Sequence, residues 1–331
     1  MPVNLSFAVH WALVALTIAF LVRLDMGNKE TLPSLKEKPS AIYTPDFYPG
    51  GTDLALPGGT MRYWLFGDPN GRKVVLIHGI STGAASYDSL ARSLAKEGHR
   101  VLVFDLWGRG YSEAPPTVYN EMLYTSQVAL LLQKVGWTRC DVVGVSLGGA
   151  IAASFTAHYP EIVEKLVFIA PAGLMTGKND IPLSGRLMKL PLVAKMATHP
   201  MFRPLAVLGV NRFFKNSKMG DKTEAQAIKT SKIALHQFTH HPGFIRAFAG
   251  TVADYPLHDL TNRYKAVGQD PQRPVMLLWG DIDRTVPFEN SELLLKLIPH
   301  AKLSIYKNGG HDILQSHWER TNREVHEFLS S

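Results

Sequence analysis

The sequence predicts a mostly parallel α/β sheet with helices on both faces and a helical lid inserted late in the chain. Short β-type runs alternate with helical stretches, the pattern of a parallel sheet. Several of the runs are continuously apolar, as strands covered on both faces are. The alternation breaks once, from about Leu174 to about Gln272, where helix-like pieces rich in Met, Phe, Leu and Lys run without a convincing strand. At 331 residues and 46% hydrophobic content, one body with one insertion accommodates the length.

Leu5 to Val22 is an uncharged 18-residue apolar run, long enough to cross a bilayer. No Lys or Arg precedes it and no small-x-small site follows, so residues 1–26 are expected to be an uncleaved anchor rather than a signal peptide. Arg23, Lys29, Lys36 and Lys38 follow the run, which implies a single-pass membrane protein with its body in the cytosol. Residues 27–57, rich in Pro, Gly and charge, read as a linker, and 58–331 as the domain. Within it the strands are expected at Met61 to Phe66, Lys73 to His78, Arg100 to Phe104, Cys140 to Val145, Lys165 to Ile169, Pro274 to Trp279 and Lys302 to Tyr306. Helical patterns fall near Tyr87 to Glu97, Glu121 to Val135, Gly149 to Tyr159, Glu289 to Ile298 and His317 to Leu329. An insertion over about 174–272, between the fifth and sixth expected strands, Lys165 to Ile169 and Pro274 to Trp279, would cover the carboxyl edge of the sheet, where ligands bind in open α/β folds.

The formal charge is +7, and Pro171 to Leu260 holds twelve Lys or Arg against five Asp or Glu. This reads either as a solvated basic surface or as a face against anionic lipid. No zinc-finger spacing, helix-turn-helix or aromatic-interleaved basic motif accompanies the charge, so nucleic acid is not an expected partner. A single cysteine, Cys140, forms no internal disulfide and opens an apolar strand, where it reads as a small buried hydrophobe. No metal or cofactor is expected, because Walker-type loops, dinucleotide fingerprints and Cys/His clusters are absent from the sequence.

Gly144-Val145-Ser146-Leu147-Gly148 stands between the apolar run Asp141-Val142-Val143 and a helical stretch, the strand, sharp turn and helix of a nucleophile elbow. A serine there sits on strained backbone that flanking glycines tolerate, with its hydroxyl pushed outward. A hydroxyl at neutral pH is a poor nucleophile, so Ser146 needs a base in reach and that base needs a partner to hold its ring. Gly309-Gly310-His311 follows the last strand, and its glycines make a turn that can swing the imidazole over the sheet edge. His236, His240 and His241 lie in the insertion without Cys or carboxylates at ligand spacing. Asp281 and Asp283 share the loop after Trp279; Asp283 is preferred, because Asp281 is nearer the turn that leaves the strand. The oxyanion of such a reaction would be held by the backbone N–H of Leu147 and by that of Ile80, in the loop His78-Gly79-Ile80-Ser81. His78 itself reads as structural.

His78-Gly79-Ile80-Ser81, Asp105-Leu106-Trp107-Gly108-Arg109-Gly110-Tyr111-Ser112, the Ser146 pentapeptide, Gly280 to Pro287 and Gly309-Gly310-His311 resemble, in order and spacing, the α/β-hydrolase superfamily in its capped serine-hydrolase branch. The resemblance spans about Arg62 to Leu329. Within the branch the chain is similar to membrane-anchored monoacylglycerol-lipase-type enzymes, carbon–carbon bond hydrolases, esterases and non-haem haloperoxidases. The resemblance implies the α/β-hydrolase fold, the chain order serine, acid, histidine and hence the triad Ser146, Asp283 and His311. Asp105 to Ser112 is a loop-shaping segment to which it assigns no chemistry. Serine at the elbow, in place of Asp, disfavours the epoxide-hydrolase and dehalogenase branches.

The expected activity is therefore serine hydrolysis of carboxylic esters of apolar or lipid-like small molecules through an acyl-enzyme, with the membrane as a further partner. Carbon–carbon bond hydrolysis or acyl transfer by the same triad is an alternative, as is a non-catalytic binding protein on the same scaffold.

Overall fold

A computed structural model of the protein describes residues 29–175 and 225–331, with 16, 17 and scattered positions between 187 and 208. Among the described residues eight strands form one sheet: β1 (Gly51–Leu56), β2 (Gly59–Gly67), β3 (Lys73–Ile77), β4 (Arg100–Phe104), β5 (Cys140–Val145), β6 (Val163–Ile169), β7 (Val275–Gly280) and β8 (Lys302–Tyr306). Their spatial order is β1-β2-β4-β3-β5-β6-β7-β8. The pairings β1 with β2 and β2 with β4 are antiparallel, and every pairing from β4 across to β8 is parallel. The helices are α1 (Asp88–Lys96), α2 (Glu121–Val135), α3 (Leu147–His158), α4 (Ala225–His240), α5 (Phe244–Asp254), α6 (Thr261–Gly268), α7 (Glu289–Leu297), α8 (Ile313–Ser316) and α9 (Trp318–Ser330).

The central strands lie where their composition puts them. β5 is buried at every position, as a strand covered on both faces is, and its one charged residue, Asp141, is paired with Arg72. Side chains alternate across the sheet: Val75, Ile77, Leu102 and Phe104 pack with α2 and α3 through Val128, Leu131 and Ile151. Val74, Leu76, Val101 and Val103 pack on the opposite face with α1 and α9 through Leu90, Leu94, Val325 and Leu329. Asn120 caps α2 by accepting the N–H of Leu123 at 3.1 Å, and Gly136 ends that helix at φ 68°. Cys140 is buried, and burial pushes its thiol pKa up to about 12, so it is a core hydrophobe.

The stretch expected to be a linker is partly packed. It contains β1, an edge strand, and before it Leu35, Tyr43 and Tyr48 are buried. The rings of Tyr43 and Tyr48 lie 6.1 and 5.8 Å from that of Trp64. Pro, Gly and charge report broken local structure, and they are silent about aromatic side chains seated on a distant strand.

The expected membrane location is corrected. Crossing a bilayer takes about 20 apolar residues in one helix, and among the described residues no helix is long and apolar enough. The membrane partner and the cytosolic placement of the body, which rested on charges flanking the anchor, are withdrawn with it. The run Leu5 to Val22 itself, apart from Leu16 and Thr17, lies outside the described residues.

The expected insertion falls between β6 and β7. Its described part includes α4, α5 and α6, while 176–224, apart from scattered positions, lies outside the described residues. Ala227, Thr230, Ser231 and Ala234 of α4 form one wall of a cavity at the carboxyl edge of the sheet.

Candidate active site

Ser146 joins β5 to α3 with φ 55° and ψ −119°, a backbone conformation that an L residue adopts only under strain. The turn closes because two neighbours lack side chains. A Cβ on Gly144 would stand 2.3 Å from the carbonyl oxygen of Gly148, and one on Gly148 would stand 1.9 Å from that of Ile77. Backbone bonds fix the corner: the Ser146 N–H donates to Ile169 O at 2.9 Å, and its carbonyl accepts the N–H of Ala172 at 3.0 Å. Leu147 opens α3, where the first N–H groups have no intrahelical acceptor.

The loop after β3 passes beside this corner, since a Cβ on Gly79 would lie 3.4 Å from the Cβ of Ser146. His78 is fully buried and holds the loop through both ring nitrogens: Nδ1 is 2.7 Å from Gly79 O, and Nε2 accepts the N–H of Leu106 at 2.9 Å. Accepting at Nε2 leaves the proton on Nδ1, so the ring is neutral and donates to Gly79 O. Burial drives its pKa down to about 3, with the Arg109 cation adding to the shift. The ring has no nitrogen left for a base's work.

Asp283 and His311 come from the loops after β7 and β8, and these two loops are tied together. Ile282 N–H donates to Gly309 O at 3.1 Å and Asp281 N–H to Tyr306 O at 3.1 Å. The buried Asp283 carboxylate accepts the N–H groups of Thr285 and Val286 at 2.8 and 3.0 Å on Oδ1. Its Oδ2 lies 2.7 Å from His311 Nδ1. Asp281, two residues earlier, is exposed. The cavity, about 870 Å³, is lined by Ser146, His311 and Ile80 together, with Val145, Ile282 and Leu314 as apolar wall. Four of the five residues expected at the site thus meet around one space: three line it, and Asp283 stands behind the imidazole. Leu147 is buried directly behind Ser146.

Two residues at this site lie inside the family-like segments, which assign neither a role. Arg284 lines the cavity. Arg109 is buried in the segment to which no chemistry was assigned, and it donates to Ile80 O at 3.2 Å, Trp107 O at 2.9 Å and Thr251 Oγ1 of α5 at 3.0 Å. An arginine beside glycines reads as a surface residue until the chain folds around it.

The chain has known relatives. A hydrolase from Burkholderia vietnamiensis, described as 2-hydroxy-6-oxononadienedioate/2-hydroxy-6-oxononatrienedioate hydrolase, is 26% identical over 77% of this chain and 86% of its own. Two solved structures share the fold: a bromoperoxidase from Bacillus anthracis (TM-score 0.66, 23% identity, covering 85% of this chain and all of that one) and an esterase from Exiguobacterium antarcticum (TM-score 0.66, 20% identity, with the same coverage). Residues 73–317 match the family described as alpha/beta hydrolase fold. Because that match spans well over half of the chain, from the first parallel strand past the histidine loop, the chain belongs to the α/β-hydrolase family.

Proposed function

We propose that the protein is a serine hydrolase in which Ser146 is the nucleophile, His311 the base and Asp283 the group that orients it, acting on a carbon–carbon bond next to a ketone in an acidic substrate. The observation that carries the mechanism is the Asp283–His311 contact at 2.7 Å behind a cavity whose wall includes both His311 and Ser146. His311 takes the hydroxyl proton as Ser146 Oγ bonds to the ketone carbon. The resulting oxyanion accepts from the N–H groups of Ile80 and Leu147, each such donor being worth about 3 kcal/mol in the transition state. Collapse breaks the carbon–carbon bond of the substrate's keto tautomer, a vinylogous diketone; the electron pair leaves as a dienolate onto the second, conjugated carbonyl, and the dienolate takes the proton from His311. Water, deprotonated by His311, then cleaves the acyl-enzyme and frees Ser146.

The carbon–carbon reading is supported by the similarity to the Burkholderia hydrolase, whose name is that of a dioate hydrolase, and by Arg284, a cation on the cavity wall able to meet a substrate carboxylate. Hydrolysis of a neutral carboxylic ester is the second reading. It uses the same steps with an alkoxide as leaving group, and the apolar wall of Ile80, Val145, Ala234, Ile282 and Leu314 favours it.

Two measurements test these readings. A fluorophosphonate probe is expected to label the wild type and to leave Ser146→Ala unlabelled; label retained in the variant refutes the nucleophile. Turnover of a 2-hydroxy-6-oxo-dienoate is then compared with that of p-nitrophenyl esters and glycerides. A kcat/KM greatest for an ester discards the carbon–carbon assignment and leaves the triad standing.

A further inference from the structure

The segment before β1 lies outside the family match, yet it reaches the loop that carries Ile80. Tyr43 is fully buried, and its hydroxyl stands 2.8 Å from both carboxylate oxygens of Asp105. The same carboxylate accepts the backbone N–H of Ala84 at 2.8 Å and that of Tyr111 at 2.7 Å. Ala84 belongs to the connection from β3 to α1, the connection that begins with His78, Gly79 and Ile80. Its carbonyl is also taken, accepting the Tyr48 hydroxyl at 3.1 Å. Both backbone polar groups of Ala84 are therefore held by the segment before β1, the carbonyl directly and the N–H through Asp105.

The fit leaves little slack. A Cβ on Gly83 would meet Asp105 Oδ1 at 2.7 Å and the Tyr43 ring at 3.3 Å. Tyr111 closes the circle, its hydroxyl donating back to Tyr43 O. A carboxylate buried this deeply needs its donors: burial raises its pKa to about 6 against the opposing pull of Ala84, Tyr111 and Tyr43. With the Tyr43 hydroxyl gone, Asp105 would draw on its remaining donors or rotate, and the Ala84 N–H would move with it. At the other end of the loop Ile80 O is held by Arg109 and Gly79 by His78, so Ala84 is the anchor that the family-matched region does not itself complete.

We propose that Tyr43 and Tyr48 are positioning residues of the active site, holding the loop from β3 to α1 so that the Ile80 N–H faces the oxyanion formed at Ser146. The proposal rests on the serine-hydrolase reading above. Tyr43→Phe in the full chain keeps the ring and removes the hydroxyl. Competent sites are counted by end-point titration with a fluorophosphonate, and kcat and KM are measured per titrated site with p-nitrophenyl acetate. Misplacing a donor by less than an ångström predicts a kcat about 10- to 100-fold lower, with KM within about twofold, because an oxyanion donor acts in the transition state and not on the bound ester. The rate of fluorophosphonate labelling is expected to fall in step. Tyr119→Phe, which removes another buried tyrosine hydroxyl, one bonded to Pro115 O, is expected to leave kcat unchanged.

Unchanged kcat per site in Tyr43→Phe, a change confined to KM, or an equal loss in Tyr119→Phe overturns the proposal. Should Tyr43→Phe fail to fold, Tyr48→Phe is judged by the same criteria. A wild type that takes no label, or a Ser146→Ala that does, fails the serine-hydrolase reading. Labelling of the wild type with an undiminished rate in Tyr43→Phe fails this inference alone.

Discussion

Asp281 and Asp283 are two residues apart on one loop, and the structure separates them by burial. Asp283 is enclosed and bonded to two backbone N–H groups and to His311, while Asp281 is exposed. The motif position already favoured Asp283, because the loop's distance from the strand is legible in sequence; the enclosure that keeps its carboxylate facing the imidazole is not. On the proposed mechanism Asp283→Asn lowers kcat about 10⁴-fold, since an amide donates to the ring and holds the wrong tautomer. Asp281→Asn stays within about twofold, and steady-state kinetics per titrated site compares the two. Arg284 belongs to the Gly280 to Pro287 segment, but no role is legible for it there, because an arginine after an aspartate looks like any surface pair. If it meets a substrate carboxylate, Arg284→Gln lowers kcat/KM for an anionic oxo-dienoate about tenfold, the size of one charge-assisted hydrogen bond. A neutral ester serves as the reference and is expected to move less than about twofold.

Among the elements, the strand–elbow–helix unit was the most legible, because its glycines answer a local steric demand. Gly148 approaches the carbonyl of Ile77 on the neighbouring strand so closely that a methyl group there must push β3 and α3 apart. Gly148→Ala is therefore expected to cost about 3 kcal/mol or more, the scale of overpacking in a dense core. In a chain of this size that lowers the melting temperature by roughly 4 °C, which thermal denaturation followed by circular dichroism measures. The central strands were legible for a similar reason: continuous apolar runs mean coverage on both faces. β1 was not, since Leu54 is the one buried residue of Gly51–Leu56, at a sheet edge among turn formers. Edge strands take their identity from the partner they pair with, here β2 through Gly51↔Trp64 to Leu56↔Gly59.

Over the whole molecule, two buried groups beneath the site give stability opposing pH dependences. His78, held near pKa 3 in the fold and near 6.5 when unfolded, takes up protons preferentially in the unfolded chain. Its contribution is complete above about pH 6.5 and is lost as pH falls toward 3. Asp105, raised from 3.8 to about 6, binds protons preferentially in the folded state, so its contribution is present below about pH 4 and is lost as pH rises through 6. Urea unfolding at intervals from pH 4 to 7 tests the first: His78→Asn, which no longer titrates, is expected to lose stability less steeply below pH 6.5 than the wild type. Equal slopes would mean that the imidazole is not held neutral by the fold. By itself the sequence determined the parallel sheet and the strand–turn–helix at Ser146, because each follows from the spacing of residues within short segments. Only the tertiary structure decided that Tyr43, Asp105 and Ala84 meet, that Arg109 is buried against α5, and that the loops after β7 and β8 bring Asp283 to His311. Those contacts join residues far apart in the chain, and burial and partners exist only once the sheet has brought its loops to one edge.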